Sequence, residues 1–479
     1  MSLVIDASPE PGPEHVSAPR DDDARTSRRA LATVALLCCL LLVNYADKAV
    51  MGIVGVDMID ELGLTKAEFG KVQSSFFLLF AVGAVLGGVL IGKIRARWLL
   101  GAVALLWAVS LAPLIGTVGV GVVVACRVLL GFAEGPATAM ATAVVHTWFP
   151  PDKRAVPTSI VIAGAGVGPL IASPLLTELM LRYDWHAPFA ALFAVGIAWC
   201  ALWVIFGDSG PEKAGDGHGA AAALPETGPF WRLMGTGTVL GLVAMFFTTY
   251  WSVAVKVTWL TVYLRDGLGY TAREAGVLNA LPYLAAAVLQ VLVGVVSARM
   301  TRRGVSSRSA RCLFAAGLAG AGGLSTIGFA QLDRGPVQIA LMVGGASLAS
   351  AGYGIGLAAV SDVVPAKQRG AVMGVIVAVF SMGGVIAPLL LGGLVDSAAT
   401  AAQGYADGFT VVGTVVVCGA VVAALLCDPE RDAAKVRAFV SWEATGPGTP
   451  AGQDAGVDSG TGVRDGAGVR DDAGQSSGG

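Results

Sequence analysis

Long apolar runs, each about the length of a membrane crossing, alternate with short polar turns from residue 31 to residue 427. A helix needs roughly 20 mostly apolar residues to cross the hydrocarbon. Twelve stretches meet that need: 31–53, 71–92, 98–116, 120–146, 156–181, 187–206, 237–263, 274–298, 310–331, 336–361, 369–395 and 408–427. The strict alternation of an outer-membrane barrel is absent, so the pattern predicts an all-α membrane protein of twelve transmembrane helices. The longest internal polar stretch, 207–236, divides the chain into two six-helix halves, 30–206 and 237–428. The flanking segments 1–29 and 429–479 are polar and read as disordered tails. No clear cleavage site follows the first run, which is long enough to span, so it reads as a helix rather than a secretory leader.

Composition agrees: 55% of residues are hydrophobic and 14% charged, against about 25% charged in a soluble domain. The net charge of −2 gives no reason to expect a nucleic-acid partner. All seven cysteines fall in the apolar runs without a C-x-x-C pair, and the four histidines are scattered. No metal or cofactor is expected, and the cysteines read as small buried hydrophobes.

With twelve spans, both termini share one side of the bilayer. About eighteen Lys and Arg lie on that side before the C-terminal segment, including Lys93, Arg95, Arg97, Lys153, Arg154, Arg299, Arg302, Arg303, Lys367 and Arg369, against about six opposite. The bias predicts cytoplasmic termini in a cell (inner) membrane. The halves also echo one another, with Gly88–Lys93 after the second span resembling Gly294–Arg299 after the eighth. That layout suits two lobes rocking about a midplane site, and one such chain is expected to suffice as a monomeric carrier.

The candidate chemistry lies in five charges stranded inside apolar helices: Asp47 and Lys48 in the first span, Arg127 and Glu134 in the fourth, Lys256 in the seventh. Each costs roughly 2.5–3.5 kcal/mol on insertion scales unless it faces a partner or a watery cavity. Asn44, Asp47, Lys48 and Met51 share one helical face, as do Arg127, Gly131, Glu134 and Thr138, and a third stripe runs Thr249, Ser252, Lys256, Trp259 and Tyr263. Three polar stripes predict a shared polar cavity. A bland alternative stays open, in which Asp47 with Lys48 and Arg127 with Glu134 are self-neutralising pairs that lock helices, and Lys256 snorkels or binds a carbonyl.

Counting the five charges favours a small anionic substrate, because the sum is positive and grows as the carboxyls take up protons. Asp47 and Glu134 are therefore the expected proton carriers. Lys48 and Arg127 are the expected clamp on a carboxylate, with Tyr45, Lys256 and Trp259 as further candidate contacts.

These residues resemble the anion:cation symporter branch of the major facilitator superfamily. The similarity runs from about Asn44 to Asp428. Asn44-Tyr45-Ala46-Asp47-Lys48 resembles the branch's N-Y-x-D-R, and Arg127-Val-Leu-Leu-Gly-Phe-Ala-Glu134 its R-x-L-x-G-x-x-E, followed by Trp148-Phe-Pro150 and Lys153-Arg154. The resemblance implies carboxylate binding by Lys48 and Arg127 and proton handling by Asp47 and Glu134. Three departures stand out. Lys48 replaces the branch's Arg, Gly92 and Ala298 replace the acidic residue of the superfamily's loop signature, and Gly164-x-x-x-Gly168-Pro169 partly resembles a motif of drug/proton antiporters. The expected function is proton-coupled symport of an organic anion, a sugar acid or other carboxylate. A proton-coupled efflux antiporter is the alternative. No nucleophile motif, metal-ligand helix or catalytic carboxylate pair marks an intramembrane enzyme, and the tails show no signalling domain.

Overall fold

A computed structural model describes residues 21–91, 93–149, 153–210, 229–365 and 368–445. Gly92, Pro150, Lys367 and the outer parts of both tails and of the central loop lie outside them. Twelve helices long and apolar enough to cross a membrane occupy the twelve runs: α1 (Arg28–Leu62), α2 (Lys66–Ile91), α3 (Ala96–Ile115), α4 (Val120–Trp148), α5 (Val156–Arg182), α6 (Ala187–Phe206), α7 (Gly237–Gly267), α8 (Ala272–Arg302), α9 (Arg308–Ala330), α10 (Pro336–Val363), α11 (Arg369–Ser397) and α12 (Ala401–Leu426). The chain is a multi-pass, all-helical membrane protein.

The described parts of the two segments read as disordered tails, residues 21–29 and 429–445, are helical. The helix of α1 begins at Asp21, and a further helix, α13 (Pro429–Thr445), follows α12. Its acidic first turn anchors it. Asp432, 1% exposed, accepts the Thr238 amide at 2.7 Å and the Thr238 hydroxyl at 2.8 Å, and Glu430 caps the start of α9 through the Ser307 amide. Those long-range bonds supply what tail composition concealed.

The two halves repeat the same backbone devices. α1 and α7 each end near a glycine in the left-handed region, Gly63 (φ 62°) and Gly269 (φ 67°). Two residues on, α2 and α8 each open on a reciprocal capping box, Thr65 with Glu68 and Thr271 with Glu274, which satisfies two orphan amides apiece. Arg154 Nε donates to Phe149 O at 2.8 Å, and Arg369 Nε donates to Val364 O at 3.0 Å, the same loop bond in each half.

The halves meet most firmly on the side away from the termini. Lys66 Nζ lies 2.9 Å from Asp266 Oδ2, Arg273 Nη2 2.7 Å from Glu178 Oε2, and Arg265 pairs with Asp57. Asp396 of α11 caps α2 by accepting the Lys66 and Ala67 amides at 2.9 and 2.7 Å. The ion pairs of Lys66, Arg273 and Arg265, which join the halves, all lie on this far side. Pairs on the termini side, such as Arg311 with Asp362 and Arg308 with Asp428, stay within the second half.

Candidate functional site

Four of the five stranded charges meet in the first half, and close helix packing puts them there. α4 is interrupted at Gly135 and Pro136, so Glu134 ends its first segment; α2 is interrupted at Leu79. Between these breaks the two helices cross through Gly131, where a Cβ would lie 1.8 Å from Phe76 O. That approach brings Arg127 and Glu134, one turn on either side of Gly131, against α2 and α1. Gly164 and Gly168 serve α5 in the same way, their missing side chains making room for Cys38 O and Leu42 O of α1. The antiporter-like motif thus packs helices.

The pairing is not that of the self-neutralising alternative. Lys48 does not pair with its neighbour Asp47, nor Arg127 with Glu134 on its own helix. Lys48 Nζ instead lies 2.6 Å from Glu134 Oε2 on α4 and donates to Asn44 Oδ1 at 2.5 Å. Asp47 Oδ2 accepts the indole N–H of Trp107 on α3 at 2.6 Å. Asp47 Oδ1 and Glu134 Oε1 are buried without a hydrogen-bond partner. Adjacent residues on a helix diverge by 100°, whereas neighbouring helices bring side chains face to face; geometry therefore favours the cross-helix partners.

Arg127 is the anomaly. It is 1% exposed, and its Nε and Nη1 have no hydrogen-bond partner. Its guanidinium lies 4.5 Å from the Phe76 ring centroid, and both carboxyls are within electrostatic reach. Cation–π contact offsets only part of a buried guanidinium's desolvation, on the order of 2 kcal/mol. The cluster therefore has unmet donors. Tyr45 lies beside it, its ring 4.3 Å from Lys48 Nζ.

Lys256 and Trp259 stand apart, which corrects the expectation of one shared cavity. The polar stripe of α7 turns into the second half. Lys256 Nζ donates to Ala346 O at 3.4 Å and lies 4.7 Å from the Tyr283 ring, with no carboxylate partner. Beside it is a cavity of ≈ 10 Å³ lined by Ser252, Thr326, Met342 and Phe409, about the space of a single water. Trp259 is fully buried in the far-side closure, where Nε1 donates to Pro388 O at 3.2 Å and the ring meets Phe69 edge-on. Tyr263 packs on Phe409 and Tyr405.

Sequence reasoning missed Trp107, Phe76 and Tyr250, the last on α7 with its ring 5.9 Å from that of Phe77. An indole in mid-span needs a partner for its N–H, so Trp107 carried a signal. The two others are apolar or amphipathic residues on apolar helices and carried none.

Comparison with known proteins agrees with this architecture. The chain is 27% identical over 408 residues, 82% of its own length and 93% of the relative's, to a hexuronate transporter of Bacillus subtilis (strain 168). It is 26% identical over 424 residues, 84% and 96% of the two lengths, to a D-galactonate transporter of Escherichia coli O6:H1. Among solved structures, a bacterial homologue of the human lysosomal transporter Spinster in an inward-facing, unoccupied conformation superposes with a TM-score of 0.71 at 16% identity, covering 86% of this chain and 98% of that one. A D-xylose–proton symporter superposes at 0.65 and 17% identity, over 84% and 98%. The family model of the Major Facilitator Superfamily matches residues 36–343, and with its twelve helices in two repeated halves the chain belongs to that superfamily of transporters.

Proposed function

We propose that this protein is a secondary active transporter that carries an organic anion together with protons by alternating access. The observation that carries the reading is Arg127, a buried guanidinium with two unsatisfied nitrogens beside a Lys48 already occupied by Glu134. A carboxylate entering the cluster would accept from Arg127 and compete with Glu134 for Lys48. The relatives named for hexuronate and D-galactonate transport act on sugar acids, which supports an anionic cargo.

A proton taken up by Asp47 or Glu134 supplies the coupling. With it, the four charges sum to +1, so a monoanion enters a complementary site. Once the anion leaves, loss of that proton restores a neutral cluster, in which Lys48 and Arg127 are balanced by two carboxylates and the empty carrier can reset. Trp107 holds Asp47 in place through its N–H.

With the basic loops placed in the cytoplasm, the termini side faces inward and the far side outward. The ion pairs at Lys66, Arg265 and Arg273 then close the outer gate, and this conformation faces inward. The test is uptake into proteoliposomes under an imposed inward proton gradient, beside exchange of internal for external anion without one. Glu134→Gln is expected to abolish gradient-driven uptake while keeping exchange. Undiminished gradient-driven uptake in that variant would remove Glu134 from the proton pathway.

A further inference from the structure

The charged cluster can hold only one end of a substrate; the rest of it meets the surfaces opposite, and those surfaces are aromatic. Starting from the cations, Tyr45 lies by Lys48 and Phe76 by Arg127. Phe76 meets Phe77 edge-on at 5.0 Å, and Phe77 meets Tyr250 of α7 at 5.9 Å. Tyr250 packs on Phe380 of α11 at 4.7 Å, and Phe380 meets Tyr353 of α10 at 5.8 Å. This row of rings crosses from the first half to the second. Tyr45, Phe80, Tyr250 and Tyr353 are only half-buried, although they sit within helical spans. Tyr45 and Phe76 touch the cations at one end of the row, and Tyr250, Phe380 and Tyr353 continue it into the second half, so the half-buried rings flank the charged cluster.

Polar groups that would receive a sugar are scarce along this row. The hydroxyls of Thr249 and Ser381 turn back onto their own helices, to Phe246 O at 3.2 Å and Val377 O at 2.7 Å. Lys256 points into the second half. Along the row three phenols remain, set among ring faces, and beside Lys48 the unpartnered Asn44 Nδ2 adds one further donor. A sugar acid would leave several hydroxyls there without partners, and a buried unpaired hydroxyl weakens binding about tenfold or more. A flat ring gains offset or edge-to-face contacts from the same surfaces.

We propose that the transported anion is an aryl monocarboxylate, its carboxylate on Arg127 and Lys48 and its ring against Tyr45, Tyr250 and Phe380. With one proton on its carboxyls the cluster carries a single net positive charge, which matches one carboxylate, while Lys256 of the second half faces Ala346 O and the Tyr283 ring. This rests on the anion-transport reading above. It makes Tyr250 a specificity-determining residue and separates this chain from its relatives named for sugar acids.

The experiment is thermal stabilisation and exchange transport of the purified full chain with benzoate, 3-phenylpropionate, glucuronate and benzamide. An aryl acid is expected to bind at least tenfold more tightly than glucuronate. Tyr250→Leu should weaken the aryl acids about tenfold without altering the protein's melting temperature by more than a few degrees, while Tyr250→Phe keeps their binding. Glucuronate binding as tightly as benzoate and 3-phenylpropionate, or neither aryl acid binding, would overturn the aryl assignment and leave the anion site standing. Benzamide binding as well as benzoate, or Arg127→Ala leaving benzoate binding intact, would instead overturn the anion reading beneath it.

Discussion

The two halves share their backbone devices and divide their chemistry. Thr65 with Glu68 and Thr271 with Glu274 open equivalent helices with the same capping box, and Arg154 and Arg369 close equivalent loops with the same bond. Yet the residues that stand to Thr271 as Asp47 and Lys48 stand to Thr65 are Val253 and Ala254. The first half gathers four charges, of which Lys48 pairs with Glu134, Asp47 accepts from Trp107 and Arg127 is left unsatisfied. The second holds a lone Lys256 facing a carbonyl and a ring, and turns aromatic side chains toward the first. A repeated scaffold thus tolerates asymmetric function, because caps and loop anchors set helix positions while a few mid-span side chains set the site.

The largest effect that could break this contrast is at Arg127. Arg127→Ala is expected to lower anion affinity by about a hundredfold, near the 2–5 kcal/mol typical of truncating a buried charged contact, as read by ligand-induced thermal stabilisation. Arg127→Lys should recover part of it. Next is Gly131→Val, which places a branched side chain where a Cβ alone would lie 1.8 Å from Phe76 O. Overpacking of this kind costs about 1–3 kcal/mol or more, so the melting temperature should fall sharply and anion binding with it.

Lys256 sharpens the comparison from the other side. Lys256→Met removes a buried cation that has no carboxylate partner. Replacement of buried charge by apolar volume is often neutral or stabilising by about 1–4 kcal/mol. The expected result is an unchanged or higher melting temperature with anion affinity retained; a large loss of affinity would show that the second half shares the ionic site. The smallest effect belongs to the far-side pair. Lys66→Met removes a part-exposed contact worth about 1 kcal/mol or less, and is expected to shift the carrier modestly toward the outward-open state. Accessibility of a cysteine placed near Asp57 to a membrane-impermeant thiol reagent measures that shift.

Legibility in the sequence followed the range of the forces involved. Apolar run length sufficed for twelve helices, since burying a span in hydrocarbon depends on local composition. The membrane ends were less legible. The Asp57–Glu61 extension of α1 and the docking of α13 depend on partners hundreds of residues away, Arg265 for the first and Thr238 for the second. In the site, helical periodicity placed Asp47 with Lys48 and Arg127 with Glu134, but could not pair them across helices. It also grouped Lys256 and Trp259 with a common cavity, because a polar stripe shows that a face avoids lipid without telling which interior it enters.

The sequence by itself determined the helices, their division into halves and the presence of charges too costly for lipid, because these follow from transfer energies and spacing along one chain. Only the tertiary structure decided that Lys48 meets Glu134, that Trp107 holds Asp47, that Arg127 is left unsatisfied and that aromatic rings of both halves border the cluster. Those outcomes depend on where glycine-lined helix crossings bring separate faces together, and no single helix carries that information.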